Sequence, residues 1–68
     1  MKEISITTEF IKLDQFMKFA EFTQTGGEAK MLISQELVLV NNTICTQRGK
    51  KLRSGDIVEC DGKACKIR

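Results

Sequence analysis

Residues 12–22 read KLDQFMKFAEF, and this stretch separates a helical part of the chain from the strand-like residues that precede it. Apolar residues recur there at the i, i+3, i+4 and i+7 spacing of one helix face, namely Leu13, Phe16, Met17 and Ala20. The spacing predicts a helix from Lys12 to about Phe22 with this stripe in the core. Phe19 and Phe22 are expected to widen the buried face, and core packing is favoured over a base-stacking role for these aromatics.

A second helix is predicted from Glu28 to Gln35, and its inner face carries Ala29, Leu32 and Ile33. Thr25 has the side chain of an N-cap, and Glu28 stands three positions later, as in a capping box. Gly26 and Gly27 form a corner between the helices for which two interpretations stay open. The amides at the start of the helix could receive a phosphate, or the glycines could let the two helices approach closely.

Strand-like segments flank the helical centre. An alternation of apolar and polar residues around Ile4 and Ile6 predicts a first strand. Two hairpins are predicted after the helices, with strands at Leu37–Val40, Thr43–Cys45, Ile57–Cys60 and Lys63–Ile67. Their turns are residues 41–42 (Asn-Asn) and 61–62 (Asp-Gly), and residues 54–56 (Ser-Gly-Asp) form a further turn. The sequence therefore predicts an α+β fold in which two short helices pack against a small curled antiparallel sheet of about four to five strands.

The most basic part of the chain is residues 47–53, QRGKKLR, which we name the basic segment. It holds Arg48, Lys50, Lys51 and Arg53, whereas the formal net charge of all 68 residues is only +2. Localised positive charge is typical of a surface that binds a polyanion. A solvated loop, whose charges only keep the protein soluble, is the alternative that stays open.

Composition limits the classes of protein to which the chain can belong. Hydrophobic residues make up 41% of it and charged residues 29%, which fits one soluble globular domain over residues 1–68. The longest apolar run, residues 37–40, is too short to cross a membrane, and the N-terminus lacks the core of a signal peptide. We therefore expect a cytoplasmic protein, and a monomer because the domain is so small.

Three cysteines and no histidine predict neither a disulfide framework nor a zinc site. Cys60 and Cys65 flank the predicted Asp61-Gly62 turn and could face each other across it, but reduced thiols packed as small apolar groups are favoured. Without histidine, the commonest general acid or base is missing. We therefore expect no catalytic activity, no cofactor and no metal.

Four short motifs resemble the RNA-binding domain family named after ribosomal protein S-four. The family pattern has a basic-Leu-Asp start to its first helix, a basic residue after alanine in its second helix, a Val-x-Val-Asn strand and a Val-x-x-Gly-Asp turn. The similar stretches here are residues 12–17 (KLDQFM), 27–30 (GEAK), 38–41 (VLVN) and 52–57 (LRSGDI). They occur in the family's order and span residues 12–60. The whole chain is most similar to the small stand-alone bacterial members of the YaaA and YbcJ type.

Three positions depart from the family pattern. Glu36 stands where glycine often follows the second helix, residues 41–42 replace a common Asn-Gly turn, and residues 25–26 (Thr-Gly) replace a Ser-Arg pair. The fold stays compatible with the first two, because asparagine tolerates positive φ and the helix can end slightly earlier. The third removes a common phosphate contact, so Lys30 and the basic segment are expected to carry more of the binding.

The resemblance implies a non-catalytic protein that binds structured RNA, chiefly ribosomal or transfer RNA, on the ribosome or during its assembly. Such RNA is read largely through its shape and phosphates. The resemblance implies that the two helices and the 47–53 loop together build a basic face for this RNA. The residues implied by position are Lys12, Lys30, Arg48, Lys50, Lys51 and Arg53, with Gly26 and Gly27 as a backbone approach for phosphate. The second hypothesis is a protein-interaction module that docks on a ribosomal protein or an enzyme through a sheet edge.

Overall fold

A computed structural model describes residues 1–68, with two helices and seven short strands. The helices are α1 (Leu13–Phe19) and α2 (Gly26–Ser34). The strands are β1 (Lys2–Ile4), β2 (Ile11–Lys12), β3 (Val38–Val40), β4 (Thr43–Ile44), β5 (Lys51–Leu52), β6 (Ile57–Cys60) and β7 (Lys63–Ile67). No helix is long and apolar enough to span a membrane.

Five strands form one sheet in the order β1-β7-β6-β3-β4, and β2 and β5 form a separate two-stranded ribbon. The α+β fold with two helices and a small sheet is thus confirmed. The sheet is mixed, because β1 runs parallel to β7 while the other neighbours are antiparallel. The prediction of a purely antiparallel sheet was wrong at this edge. Parallel strands need a long connection, and all the other elements of the chain lie between β1 and β7.

A single cluster of buried side chains joins the helices to the sheet. The predicted stripe of α1 is confirmed as its centre, since Leu13, Phe16 and Met17 are fully buried and Ala20 nearly so. The remaining members are Ala29, Ile33, Val38, Val40, Leu52, Val58, Cys60, Cys65 and Ile67. Such a domain lies near the lower size limit for a stable core, so each of these side chains is needed.

Helix α1 is shorter than predicted. It ends at Phe19 instead of about Phe22, because Glu21 adopts a positive φ of 63°. The N–H of Phe22 donates to the carbonyl of Met17 at 2.9 Å, which is the hydrogen bond of a Schellman ending. Phe22 is consequently half-buried, and Phe19 points outward with 59% of its surface exposed. The prediction that Phe19 widens the buried face was wrong.

Helix α2 begins at Gly26, two residues before the predicted start, and Thr25 is its N-cap as predicted. The Thr25 hydroxyl accepts a hydrogen bond from the Glu28 N–H at 3.1 Å. The helix ends like α1, because Glu36 also has a φ of 63° and the Leu37 N–H donates to the carbonyl of Leu32 at 3.1 Å. Glutamate therefore occupies the left-handed position where glycine is common in the family.

The predicted turns are present. Asn41 and Asn42 connect β3 to β4 with φ of 52° and 67°, and Asp61 and Gly62 connect β6 to β7 with φ of 54° and 77°. Two consecutive positive φ values are the signature of a type I′ hairpin turn, which matches the twist of the flanking strands. Asparagine thus fills the position of the family's glycine, as expected.

Candidate nucleic-acid interface

The basic segment is anchored to the start of α1 by its backbone. The N–H of Leu13 donates to the carbonyl of Lys50 at 2.9 Å, and the N–H of Asp14 donates to the carbonyl of Arg48 at 3.0 Å. The first amides of a helix have no backbone partner within the helix, and the side chain of the N-cap residue Lys12 accepts no hydrogen bond from them here. The helix start and the basic segment therefore satisfy each other's polar groups and hold each other in place.

Part of the basic segment is a strand, where the sequence predicted only a loop. Lys51 and Leu52 form β5, which pairs with β2 so that Leu52 lies opposite Ile11 and Lys51 lies opposite Lys12. Leu52 is fully buried and fixes the ribbon to the core, while both lysines are exposed. No sequence pattern predicts so short a strand pair, because two residues carry no detectable alternation. The pair brings Lys12 directly beside the basic segment.

Phe10 is a member of this site that sequence reasoning missed. The Lys51 ammonium lies 4.8 Å from the centre of its half-buried ring, and the Arg53 guanidinium carbon lies 5.8 Å from it. Both distances fall within the range of cation–π attraction. In the sequence, only the position of Phe10 directly before Ile11 could have indicated this role. Because Ile11 pairs with Leu52, the next pair in the same register is Phe10 and Arg53.

Two residues of the family motifs fix the backbone at Arg53. One carboxylate oxygen of Asp56 accepts a hydrogen bond from the Arg53 N–H at 2.8 Å, and the other accepts from the Asn41 amide at 3.0 Å. The Asn41 side-chain oxygen in turn accepts from the Ile57 N–H at 3.0 Å. The turn before β6 and the turn after β3 are thereby joined, which gives Asn41 and Asp56 a structural role in this chain.

The cations of this region have no acidic partner. The one ion pair of the molecule joins Arg68 to Glu3 at 3.5 Å, in the five-stranded sheet. Asp14, the acidic residue nearest in sequence to Lys12, directs a carboxylate oxygen to the N–H of Gln15 at 2.8 Å. Lys12, Arg48, Lys50, Lys51 and Arg53 thus stand on connected backbone, with exposed side chains that form no ion pair. We name these five residues the cationic cluster.

Lys30 lies on a different element from the residues of the cationic cluster. It lies on the exposed side of α2, next to the buried Ala29, and no hydrogen bond or strand pair connects it to the cluster. A Cβ built on Gly26 meets no atom within 4 Å, and one built on Gly27 meets only the Thr25 hydroxyl, at 3.9 Å. The interpretation that these glycines permit a close approach of the helices was therefore wrong.

The cysteines are reduced, and two of them are core residues. Cys65 lies opposite Val58 and Cys60 lies opposite Lys63, so the two thiols do not face each other across the hairpin. Both are buried, which confirms the prediction that they pack as small apolar groups. Burial raises the pKa of the Cys65 thiol and that of the Cys60 thiol, to which the charge of Asp61 adds. A raised pKa keeps these thiols protonated and unreactive at neutral pH.

Known proteins resemble the chain over most of its length. Residues 4–68 match the model of the S4 domain family. A Bacillus subtilis (strain 168) protein, "Probable ribosome maturation protein RlbA", is 51% identical over 59 residues, which are 87% of this chain and 83% of that protein. The solution structure of Escherichia coli YbcJ, described as revealing an "alfaL motif involved in RNA-binding", covers 98% of this chain and 86% of its own, with a TM-score of 0.75 and 22% identity.

These comparisons agree with the motifs quoted above. The family match includes both helices and every strand from β2 onward. The Bacillus subtilis relative shares about half of the aligned residues, and YbcJ shares the fold. The chain belongs to the S4 domain family.

Proposed function

We propose that this protein binds structured RNA, chiefly ribosomal RNA, without catalysing a reaction. The observation that carries the proposal is the cationic cluster, whose five exposed side chains have no acidic partner and stand on a backbone held by the start of α1. Phosphates are recognised by lysine and arginine placed on a rigid scaffold. The names given to the Bacillus subtilis relative and to YbcJ support an RNA target and a role in ribosome maturation.

The arrangement of Lys12 and Lys51 supports an anionic ligand. Like charges directly opposite each other on paired strands destabilise a protein. A phosphate between the two ammonium groups would turn this repulsion into two attractive contacts. Lys30, with the amides of Gly26 and Gly27 at the start of α2, would supply a second phosphate contact in this proposal.

The sheet edges favour RNA over a protein that docks by strand addition. The edge strands are β1 and β4, which have three and two residues. Short edge strands are a common protection against pairing with another chain. Docking on a ribosomal protein through an edge therefore has less structural support than phosphate binding at the cationic cluster.

A salt series with ribosomal RNA fragments tests the proposal. If six cations contact phosphate, the slope of log affinity against log salt concentration is roughly −4 to −5. Lys50→Ala/Lys51→Ala should make that slope less steep by about 1.5. Lys63→Ala/Lys66→Ala is the matched control, since it removes the same charge from exposed positions on β7. Equal slopes for both double variants and the wild type would show that the basic segment does not contact the RNA phosphates.

Two further measurements separate the remaining parts of the proposal. Lys30→Ala should weaken binding and reduce the slope by about one unit, because one phosphate contact is lost. Nuclease treatment should release the protein from complexes isolated from cells if RNA holds it there. Complexes that survive the nuclease would favour the protein-interaction alternative.

A further inference from the structure

Phe19 is the one aromatic residue among the strongly exposed apolar side chains, which are Met1, Phe19, Met31, Leu37 and Ile44. It is 59% exposed although it belongs to α1, whose other apolar residues are buried. A single exposed apolar side chain is ordinary in a soluble protein. The surroundings of Phe19 distinguish it from such a case.

The Phe19 ring stands between two surface hollows of about 220 and about 510 Å³. Phe19 and Ile11 line both of them. Residues 5–8 complete the first hollow and supply hydroxyl groups, while Gln15, Lys18 and Glu21 complete the second. An exposed aromatic face beside an aliphatic side chain, with polar groups around the rim, matches a nucleobase, which has flat apolar faces and a polar edge.

The hollows adjoin the cationic cluster through β2. Ile11 lines both hollows, and the next residue, Lys12, is the member of the cluster that pairs with Lys51. Lys18 adds a cation at the rim, and Glu21 is the one acidic residue there. The two hollows that Phe19 lines thus lie one residue along β2 from the cationic cluster.

We propose that Phe19 stacks on an unpaired base of the bound RNA. This inference rests on the proposed function and extends it, because it makes the protein prefer RNA with single-stranded loops or bulges over a continuous duplex. Stacking of one base on an aromatic side chain changes affinity by about 5- to 150-fold. The phosphate contacts alone give no such preference.

The first test compares the RNA affinities of Phe19→Leu and the wild type. It uses two RNA probes of equal length at the same salt concentration. One probe is a hairpin with an unpaired loop, and the other is a fully paired duplex. Phe19→Leu should weaken hairpin binding by about 5-fold or more and leave duplex binding and both salt slopes unchanged. Circular dichroism of the variant checks the fold, which an exposed side chain does not support.

The second test uses fluorescence, because the chain contains no tryptophan or tyrosine. Phe19→Trp introduces one reporter at the proposed stacking position. Its emission should be quenched by the hairpin and hardly altered by the duplex. Leu37→Trp is the control, since Leu37 is similarly exposed and lines a hollow that contains no cation.

The outcomes distinguish this inference from the proposed function. If the wild type binds neither probe, both are overturned. If it binds both probes with a steep salt dependence and Phe19→Leu changes neither affinity, only the stacking role is overturned. The same holds if Phe19→Leu alters the sedimentation of the free protein and not its RNA binding, since the ring would then be a contact between copies of the chain.

Discussion

The Lys51 ammonium lies 4.8 Å from the centre of the Phe10 ring, on the side of the molecule where the carbonyl of Lys50 accepts a hydrogen bond from the start of α1. A flexible cation is thus held by an aromatic ring, and its own backbone is fixed by a strand pair. A side chain that is ordered before binding loses less conformational entropy when it meets a phosphate.

Phe10→Leu should weaken RNA binding by about 2- to 10-fold, because it keeps an apolar side chain but leaves Lys51 to be ordered on binding, at a cost of about 0.5–1.5 kcal/mol. In the free protein, the methylene protons of Lys51 and Arg53 should lose the upfield shift that the ring imposes, as measured by NMR. Lys63, which lies away from any aromatic ring contact, supplies the control signals. An unchanged Lys51 spectrum would contradict the contact.

Asn41→Asp should destabilise the protein in a pH-dependent way. The new carboxylate stands about 3.0 Å from that of Asp56, so one of the two keeps its proton in the folded state and its pKa is raised. The variant is therefore closest to the wild type in stability below about pH 4 and loses stability as pH rises above that value. Urea unfolding at pH 3.5 and pH 7 measures the difference.

Asn42→Asp is the matched control for that experiment. Asn42 has a similar positive φ of 67°, adjoins Asn41 in the same turn, and makes no side-chain hydrogen bond. It introduces the same charge without facing Asp56. Equal pH dependence for the two variants would show that overall charge, and not the Asn41–Asp56 contact, is responsible.

Glu36→Gly should stabilise the protein by about 0.5–1 kcal/mol. Glutamate at a φ of 63° is strained by its Cβ, whereas glycine adopts this conformation freely. Glu36→Ala keeps the Cβ and should give no comparable gain. The urea concentrations at the unfolding midpoints of the two variants distinguish these outcomes. An equal rise in both midpoints would show that loss of the glutamate charge, and not relief of backbone strain, stabilises the protein.

Stability should decline above about pH 8.5 because of the buried thiols. Burial raises the pKa of Cys65 and Cys60 in the folded state, so the unfolded chain loses these protons first and the folded state loses its advantage as pH rises. Cys65→Ala should show a shallower alkaline decline than the wild type. Val58→Ala, which truncates the residue opposite Cys65, should be less stable by a similar amount at every pH.

The longer sequence patterns were sufficient to predict the main helices and hairpins. The apolar stripe of α1, the Thr25 cap and the two hairpins at Asn41 and Asp61 are governed by local spacing and turn chemistry, and the structure contains all of them. The resemblance to the S4 domain family is confirmed as well. The role of the motif residues Asn41 and Asp56 depends on a contact between turns fifteen residues apart, which local patterns do not predict.

The parts that sequence reasoning missed depend on contacts between distant segments. The two-residue β2–β5 ribbon has no periodicity of its own, and the cation–π contacts of Phe10 follow from its register. Phe19 falls within the helical pattern but lies outward, because α1 ends there and Glu21 turns the chain. The sequence pattern predicted a helix that continues to about Phe22, and it therefore did not predict that the Phe19 side chain is exposed.

The parallel pairing of β1 with β7 has a consequence for the order of folding. Lys2 lies beside Cys65, so β1 has no partner until β7 has been synthesised. Closing so long a loop carries a large entropic cost, which the helices and the inner hairpins do not bear. We therefore expect the pairing of β1 with β7, at the edge of the sheet, to form after the helices and the inner hairpins.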